Sequence, residues 1–323
     1  MTTARLFLAS IALLALSTTL LGEGRYPEKP IRLVVPFPPG GGTDILSRAI
    51  SHSMSAATGW TFVVDNRPGA GGNIGLDAAA HSPPDGYTIA MGQTANLAVN
   101  PSLYAKMTFD PVKDFAPVAL LSSQPLILVV SEKSPYRSLE ELVDAAKAKP
   151  GALNMGSAGN GTIGHVGGEL FQRRAGIRFA HIPYKGAGPA VTDLMGGSID
   201  VYFGNSQSVG GLVNAGKLRA IAVTSPKRTP AFPNVPTIAE SGYPGFEAAT
   251  WSGLVAPAGT PKAIVDQLNA AAIKALHAPE MAKKLEEDGS TPLGGSPEDF
   301  ARFIRAEEQK WGAAVRGAGI KLD

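Results

Sequence analysis

The chain of 323 residues contains no cysteine. This absence excludes a disulfide framework, an iron–sulfur cluster, a thiolate zinc site and a lipid anchor attached to a cysteine. Basic and acidic residues nearly balance, at 29 and 27, and no basic run stands out. A nucleic-acid partner would require clustered Lys and Arg to meet its phosphates, so we expect none. Hydrophobic residues make up 44% of the chain, which is enough to form real cores.

The signatures of common enzymes and metal sites are also missing. The glycine-rich turn at residues 40–43 lacks the lysine of a P-loop, and no G-x-S-x-G elbow surrounds a nucleophile. Residues 69–75 loosely resemble a dinucleotide fingerprint, but no acidic residue follows about 20 positions later at the end of a strand. The five histidines show no paired spacing typical of metal ligands. We therefore expect no cofactor, no metal and no catalytic residue.

Residues 1–24 are predicted to be a secretory signal. Arg5 supplies a positive charge, residues 6–21 form an apolar stretch, and small residues follow it. Residues 15–17 offer another cleavage position, and an uncleaved anchor helix is the alternative to cleavage. A helix that spans a bilayer needs about 20 apolar residues, and this run is slightly shorter. We expect a periplasmic protein that is secreted through a cleavable signal.

A strand pattern followed by a glycine-rich turn and a helix pattern recurs along the chain. It occurs at residues 31–54, 62–80, 153–171 and 179–195. Strands that alternate with helices are typical of α/β folds with mostly parallel sheets. One continuous sheet could hold all these strands. The pattern falls into two blocks, however, and two lobes with two separate, mostly parallel sheets fit the length of the chain better.

Two further strand patterns are expected to connect the lobes. The chain should cross to lobe 2 near residues 126–131, which overlap the apolar run 125–130, and return near residues 251–256. Two crossovers would form a hinge, and the terminal helices would then cover the sheet of lobe 1. The predicted boundaries are residues 25–126 and 251–323 for lobe 1, and residues 127–250 for lobe 2.

The glycine-rich turns are typical of a site for an anion. A turn that enters a helix exposes backbone N–H groups at the positive end of the helix dipole, and glycine lets a ligand approach closely. In open α/β sheets, ligands bind beyond the carboxyl ends of the strands, where these turns lie. Close packing alone also produces such turns. Four of them in two matched blocks favour a small anion that is held in one cleft between the lobes.

Three side chains near these turns have two interpretations each. His165 would donate a hydrogen bond to a ligand, or would cap and support a turn. Lys185 would offer its charge to a carboxylate, or would be a solvated turn residue. Asp44 is expected to begin a helix and brace its turn, and direct contact with a ligand amine is the alternative.

Seven segments of the chain, taken in order, resemble one family pattern. They are PFPPGGGTDILSR (36–48), DNRPGAGGNIG (65–75), NPSLY (100–104), GSAGNGTIGH (156–165), PYKGAGPAVTDLMGGSID (183–200), GKLRAIAVTSPKR (216–228) and LVAPAGTP (254–261). This pattern closely resembles the substrate-binding receptors of the tripartite tricarboxylate transporter family, also called Bug (Bordetella uptake) receptors. The resemblance covers essentially the whole chain after the predicted signal.

The resemblance implies an α/β, two-lobed periplasmic-binding-protein fold (Venus flytrap, type II-like) that captures a small mono-, di- or tricarboxylate between its lobes. The carboxylate-binding loops of the family map onto residues 37–44 and 157–165, and further contacts onto residues 67–72, 94–96 and 203–205. The two lines of reasoning together give these candidate ligand-binding residues: Phe37, Pro39, Gly40, Gly41, Gly42, Thr43, Asp44, Gly71, Thr94, Ala95, Asn96, Ser157, Gly159, Asn160, Gly161, Thr162, His165, Lys185, Phe203 and Asn205.

One position departs from the family pattern. Family members commonly carry an acidic residue just before the position of Asn205, whereas this chain has Gly204. If that acid binds a ligand amino group, an amino-acid ligand is disfavoured here.

Three functions remain open on the sequence. A monomeric receptor would close over a carboxylate and present the closed form to the membrane subunits of a tripartite transporter. A sensing protein would use the same binding chemistry but pass the closed form to a signalling partner. An exported hydrolase or isomerase would use His165 as general base and Lys185 as electrophile. The sequence offers no convincing nucleophile or metal for the third, so we expect a receptor and not an enzyme.

Overall fold

The computed structural model describes residues 26–322. The predicted signal at residues 1–24 lies outside the described residues. The strands are β1 (Ile31–Val35), β2 (Phe62–Asn66), β3 (Thr88–Gln93), β4 (Phe115–Ser131), β5 (Asn154–Ser157), β6 (Ala180–Pro183), β7 (Val201–Asn205), β8 (Leu218–Val223), β9 (Ala249–Pro257) and β10 (Thr291–Pro292). The helices are α1 (Gly42–Thr58), α2 (Asn73–Ala80), α3 (Asn100–Leu103), α4 (Leu139–Ala148), α5 (Ile163–Ala175), α6 (Ala187–Gly196), α7 (Ser206–Asn214), α8 (Lys262–Leu276), α9 (Pro279–Glu287) and α10 (Pro297–Ala318).

The first strand–turn–helix unit shows how the pattern forms. In β1 the alternating residues Ile31, Leu33 and Val35 are all buried. Apolar residues of α1 recur every four positions, so they lie on one helix face and pack on the same core as β1. The helix ends at Gly59, whose left-handed backbone (φ 77°) suits glycine. The glycine-rich turn before α1 is thereby fixed at the carboxyl end of β1.

The long strand β4 belongs to two sheets. Its residues 115–125 pair with β9, whereas its residues 126–131 pair with β7 and β8. We call the part that carries β1, β2, β3, β9 and the first segment of β4 lobe 1, and the part that carries β5 to β8 and the second segment lobe 2. The strand order is β2-β1-β3-β9-β4-β7-β5-β6, with β8 and β10 also paired to β4. The predicted two-lobed α/β fold is confirmed, and the residue boundaries of the lobes remain a prediction.

The expectation of mostly parallel sheets is corrected. Parallel pairs join β1 to β2 and β3 in lobe 1, and β5 to β6 and β7 in lobe 2. The strands β4 and β9 pair antiparallel with every neighbour, as does β10 with β4. Strand–helix–strand units give parallel pairs, but the strand that leaves a lobe and the strand that returns run in opposite directions. Both sheets are therefore mixed.

The terminal helices cover the sheet of lobe 1, as predicted. Residues of α8 pack against α1 in one core that includes β1 and β3. The helix α10 begins with a capping box between Ser296 and Asp299, and its Phe300 packs edge-on against Trp251 at 5.9 Å between ring centroids. None of the helices among residues 26–322 has the length and apolar character needed to cross a membrane.

Candidate functional site

A cavity of about 60 Å³ lies between the lobes, where the first residues of four helices meet. Residues 41–43 belong to the start of α1, residues 162–164 to α5, residues 186–187 to α6, and Asn205 precedes α7. We call this the inner cavity. The sequence brings these turns together because each follows a strand, and the carboxyl ends of parallel strands meet at one edge of a sheet.

The inner cavity is bordered by the starts of four helices, and its described lining has no charged side chain. The residues that precede the four helices are Gly41, Thr162, Gly186 and Asn205, and within residues 26–322 none of them caps its helix through its side chain. The first N–H groups of a helix have no partner inside the helix, and the helix dipole adds partial positive charge there. None of the described lining residues is Asp, Glu, Lys or Arg. This arrangement can bind an anion through backbone donors.

Glycine at position 42 allows close contact between the lobes. A Cβ at Gly42 would lie 2.7 Å from Oδ1 and 2.8 Å from Cγ of Asn205, which belongs to lobe 2. The backbone of lobe 1 therefore lies directly against the Asn205 amide. Asn205 in turn accepts a hydrogen bond from the Ser208 hydroxyl at 2.6 Å, through Oδ1.

Residues at the rim of the cleft also form contacts between the two lobes. The Tyr104 hydroxyl donates a hydrogen bond to the carbonyl oxygen of Asn160 at 3.3 Å. A Cβ at Gly71 would lie 3.1 Å from the same oxygen, and Gly71 has a left-handed backbone (φ 62°). A Cβ at Gly186 would lie 3.0 Å from Cγ of Pro38. Contacts between the lobes thus lie on several sides of the inner cavity.

Asp44 braces the loop that leads into α1. Its carboxylate accepts hydrogen bonds from the Gly40 N–H at 2.9 Å, from Arg48 Nε at 3.0 Å and from Asn66 Nδ2 at 2.9 Å. Burial opposes its ionisation, but the hydrogen bonds from Arg48, Gly40 and Asn66 outweigh burial and hold the pKa of Asp44 below its ordinary value. The structure supports the bracing interpretation, since these donors occupy both carboxylate oxygens and Asp44 lines neither cavity.

A residue that sequence reasoning missed, Gln93, lines the inner cavity at the end of β3. Its Nε2 donates to Oγ1 of Thr43 at 2.6 Å, and its N–H donates to Oδ1 of Asn96 at 2.9 Å. Thr94 accepts a hydrogen bond from the Trp251 N–H at 2.7 Å and so fixes the strand end to β9. The only sequence signal for Gln93 was its position beside the candidates at residues 94–96.

Two stacked histidines support the loop of lobe 2. The rings of His165 and His181 lie 4.1 Å apart at 18° between their planes. The Gly161 N–H donates to Nδ1 of His165 at 3.3 Å, and Ser157 Oγ lies 2.7 Å from Nε2 of His181 and accepts from the Gly159 N–H at 3.2 Å. Burial, aided by the charge of His181, lowers the pKa of His165 to about 3, and burial lowers the pKa of His181 to about 4. Both rings are therefore neutral near pH 7, and His165 supports the turn.

A larger cavity of about 960 Å³ adjoins the inner one. We call it the outer cavity. Its lining includes residues 68–72, Tyr104, residues 159–160, residues 183–185 and residues 321–322. The two cavities share Phe37, Pro38, Ala158, Thr162 and Gly186 in their linings.

The candidate residues fall into three groups: those that line the inner cavity, those that line the outer cavity and those that line neither. Those at the inner cavity are Phe37, Gly41, Gly42, Thr43, Thr162, Phe203 and Asn205, and those at the outer cavity include Phe37, Gly71, Gly159, Asn160, Thr162 and Lys185. Nine line neither cavity and lie beside or behind the loops: Pro39, Gly40, Asp44, Thr94, Ala95, Asn96, Ser157, Gly161 and His165. Thr250 and Tyr202 line the inner cavity and were missed.

Comparison with known proteins gives one consistent result. Residues 46–320 match the family model described as the tripartite tricarboxylate transporter family receptor, TctC. Protein BugT of Bordetella pertussis is 40% identical over 92% of this chain and 91% of its own. The solved structure of R. palustris Rpa4515 with adipate has 39% identity and a TM-score of 0.89, over 92% of this chain and all of that one. The structure of MatC from Rhodopseudomonas palustris with bound malate has 32% identity and a TM-score of 0.85, over 90% of this chain and all of that one.

Proposed function

Because the chain belongs to the TctC family of tripartite tricarboxylate transporter receptors, we propose that it binds a small organic carboxylate in the inner cavity, through backbone N–H groups, for uptake. The family consists of solute-binding receptors and not of enzymes, which confirms the expectation that this protein is not an enzyme. The observation that carries the proposal is the meeting of four helix N-termini at a cavity whose described lining has no charged side chain.

The chemistry of the lining favours a carboxylate. Its polar side chains are neutral and include Thr43, Gln93, Thr162 and Asn205. Backbone donors at helix N-termini suit carboxylate oxygens, because the dipoles favour negative charge. The described lining offers no carboxylate to pair with an ammonium group, so an amino-acid ligand is disfavoured, in agreement with Gly204. The two R. palustris relatives were solved with adipate and with malate, both of which are carboxylates.

We also propose where the protein acts and with which partner. The protein would be secreted through the signal at residues 1–24, act as a monomer in the periplasm, and present its closed form to the membrane subunits of a tripartite transporter. A sensing role would use the same binding chemistry with another partner. Capture of membrane proteins by the ligand-loaded protein, followed by identification of the partner, distinguishes transport from sensing.

Thermal unfolding with a panel of mono-, di- and tricarboxylates tests the proposed function. The secreted protein, stripped of ligand by unfolding and refolding, should be stabilised by about 2.7 kcal/mol at a ligand concentration 100 times Kd. Amino acids and amines of similar size serve as the comparison set and should cause no shift. No shift with any acid in a broad panel would contradict the proposal.

A further inference from the structure

The turn between β5 and α5 contains the only Asn–Gly pair of the chain, Asn160–Gly161. Asparagine is chemically labile, because the backbone nitrogen of the next residue can attack its side-chain carbon Cγ. A glycine in that next position has no side chain to hinder the approach. Asn160 is exposed, the backbone of Gly161 is left-handed (φ 79°), and a turn is less restrained than a helix or a strand. The pair therefore has both the sequence and the surroundings that favour loss of the side-chain amide.

The other asparagines of the chain lack this combination, since none of them precedes a glycine. Some are also held by hydrogen bonds, as when Nδ2 of Asn269 donates to the Val118 carbonyl oxygen at 2.7 Å. Asn214 and Asn234 are exposed, but the side chains of the alanine and the valine that follow them hinder attack. Among residues 26–322, by contrast, the side-chain amide of Asn160 forms a hydrogen bond with none, and its backbone carbonyl oxygen is the atom that accepts one.

The peptide group that would react is held from both lobes. Its carbonyl oxygen, on Asn160, accepts the hydrogen bond from the Tyr104 hydroxyl of lobe 1 at 3.3 Å. Its N–H, on Gly161, donates to Nδ1 of His165 in lobe 2 at 3.3 Å. Attack on Cγ requires this N–H to leave His165 and the peptide group to rotate. Contact between the lobes therefore hinders the reaction, and separation of Tyr104 from Asn160 removes one of the two restraints.

We propose that Asn160–Gly161 is a deamidation site and that the reaction impairs the receptor. The Gly161 nitrogen loses its proton to hydroxide and forms a bond to Cγ of Asn160. The bond between Cγ and the amide nitrogen then breaks, and ammonia leaves after taking a proton from water, which gives a cyclic succinimide and returns the hydroxide. Water opens either carbonyl of the ring and yields aspartate or isoaspartate.

The consequence for binding rests on the proposed function and deepens it. Asn160 lines the outer cavity, so a carboxylate at this position adds negative charge beside a cleft that takes up an anion. Isoaspartate also inserts its Cβ atom into the main chain just before Thr162 and Ile163, which line the inner cavity at the start of α5. The deamidated protein should bind carboxylates about fivefold more weakly, as expected for one like charge at an exposed position.

Peptide mapping of aged protein tests the site. The secreted protein, stripped of ligand, is incubated at pH 8, digested and analysed by mass spectrometry, with enzymatic methylation to detect isoaspartate. The peptide that contains Asn160 should lose its amide before the peptides that contain other asparagines. Asn160→Gln should stop the reaction, because glutamine would have to form a larger ring, whereas Asn234→Gln, at another exposed position, should not. If the amide at residue 160 persists while other asparagines react, or if none reacts, the site is wrong while the receptor function holds.

Titration of fresh and aged protein tests the consequence, with the acid that gives the largest shift in the thermal panel. The unchanged protein should lose affinity as residue 160 is deamidated, whereas aged Asn160→Gln should keep the affinity of its own fresh form. Equal affinities of fresh and deamidated protein would show that the modification does not impair the receptor. If no acid binds even to fresh protein, the proposed function fails, and peptide mapping alone decides the deamidation site.

The restraint by Tyr104 has a separate test. A saturating concentration of the same acid during incubation should slow deamidation, because it keeps the lobes in contact. Tyr104→Phe removes the hydroxyl and should react faster than the unchanged protein under the same conditions. An acid that binds without slowing the reaction, together with an unchanged rate in Tyr104→Phe, would show that contact between the lobes does not restrain this peptide group.

Discussion

At Gly41 the inner cavity is lined by backbone. The residue has an extended backbone (φ −78°, ψ 163°), which any amino acid can adopt, and a Cβ there would meet only the Pro38 carbonyl oxygen, at 3.5 Å. The sequence could predict this loop, because a run of glycines before a helix is a local signal. It could not predict Gln93, whose side chain reaches Thr43 only once β3 lies beside β1 in the sheet.

Gly41→Val is expected to abolish carboxylate binding and leave the fold intact. The valine side chain would occupy the space in front of the first N–H groups of α1, while the protein loses only about 1 kcal/mol of stability from a poorer residue before the helix. Titration with a carboxylate that the thermal panel identifies checks the affinity, and urea unfolding checks the fold. Gly188→Val, at an exposed position with open space around it, is the matched control. Retained affinity in Gly41→Val would contradict the backbone site.

Because the two stacked histidines are buried and neutral, we expect the protein to lose stability in mild acid. Their pKa values in the fold, about 3 for His165 and about 4 for His181, lie below the ordinary value of about 6.5. Between these values the unfolded chain binds protons that the folded chain does not. The contribution of the two neutral rings to the free energy of unfolding is therefore complete above about pH 6.5. It is lost as pH falls toward 4, by up to about 1.4 kcal/mol per pH unit for each ring.

Urea unfolding between pH 4.5 and 7.5 measures this slope. The variant His165→Gln should show a shallower loss of the free energy of unfolding than the unchanged protein. His81→Gln removes an exposed histidine and should keep the original slope. Equal slopes in all three proteins would show that the buried pair does not control acid sensitivity.

Among the elements, β4 is a strand of which only the second part could be predicted from the sequence. Its apolar run at residues 125–130 was predicted as a strand, but the strand begins at Phe115 and passes through Pro117 and two irregular pairings with β9. These irregularities hide the alternation on which strand prediction depends. The strand–turn–helix units were predictable because each carries a local pattern. The antiparallel pairing of β4 and β9 depends on strand order, which local pattern does not contain.

The helix α5 approaches β7 and β5 closely because it carries glycine at two positions that face these strands. A Cβ at Gly164 would collide with the Phe203 carbonyl oxygen, and one at Gly168 would lie 2.9 Å from Cε of Met155. Gly164 lies in the first turn of α5, and Gly168 lies in the helix interior, where glycine costs up to about 1 kcal/mol relative to alanine. Close packing of the helix on the strand offsets that cost and places the start of α5 at the inner cavity.

Gly164→Ala should therefore destabilise the protein although alanine favours a helix. Forcing a methyl group against backbone costs about 1–3 kcal/mol. The start of α5 would also shift, so carboxylate affinity should fall together with stability. Gly196→Ala, in α6 with open space around the residue, should be neutral or stabilising. Urea unfolding and titration of both variants check the prediction, and unchanged stability in Gly164→Ala would show that α5 packs less closely than described.

At the scale of the molecule, the inner cavity exists only while the lobes touch. Its lining combines the start of α1 from lobe 1 with the starts of α5, α6 and α7 from lobe 2. The sequence predicted two lobes and the loops of each, because those depend on repeated local units. It gave no information on which residues meet across the cleft, since contacts such as that of Gly42 with Asn205 depend on the relative position of two bodies.

Because Gly42 and Asn205 are in contact, we expect substitutions at these two positions to have non-additive effects on carboxylate affinity. In Gly42→Ala the new methyl group would meet the Asn205 amide, so closure should be opposed and carboxylate affinity reduced. When Asn205 is also replaced by alanine, the methyl group at position 42 has space, and Gly42→Ala should then reduce carboxylate affinity less. Titration of the two single variants and the double variant gives the coupling free energy, which we expect to be about 0.5–3 kcal/mol, as for residues in direct contact. Additive effects would contradict the proposed role of this contact in closure. X-ray scattering with saturating ligand adds an independent measure, because Gly42→Ala alone should retain a larger radius of gyration than the double variant.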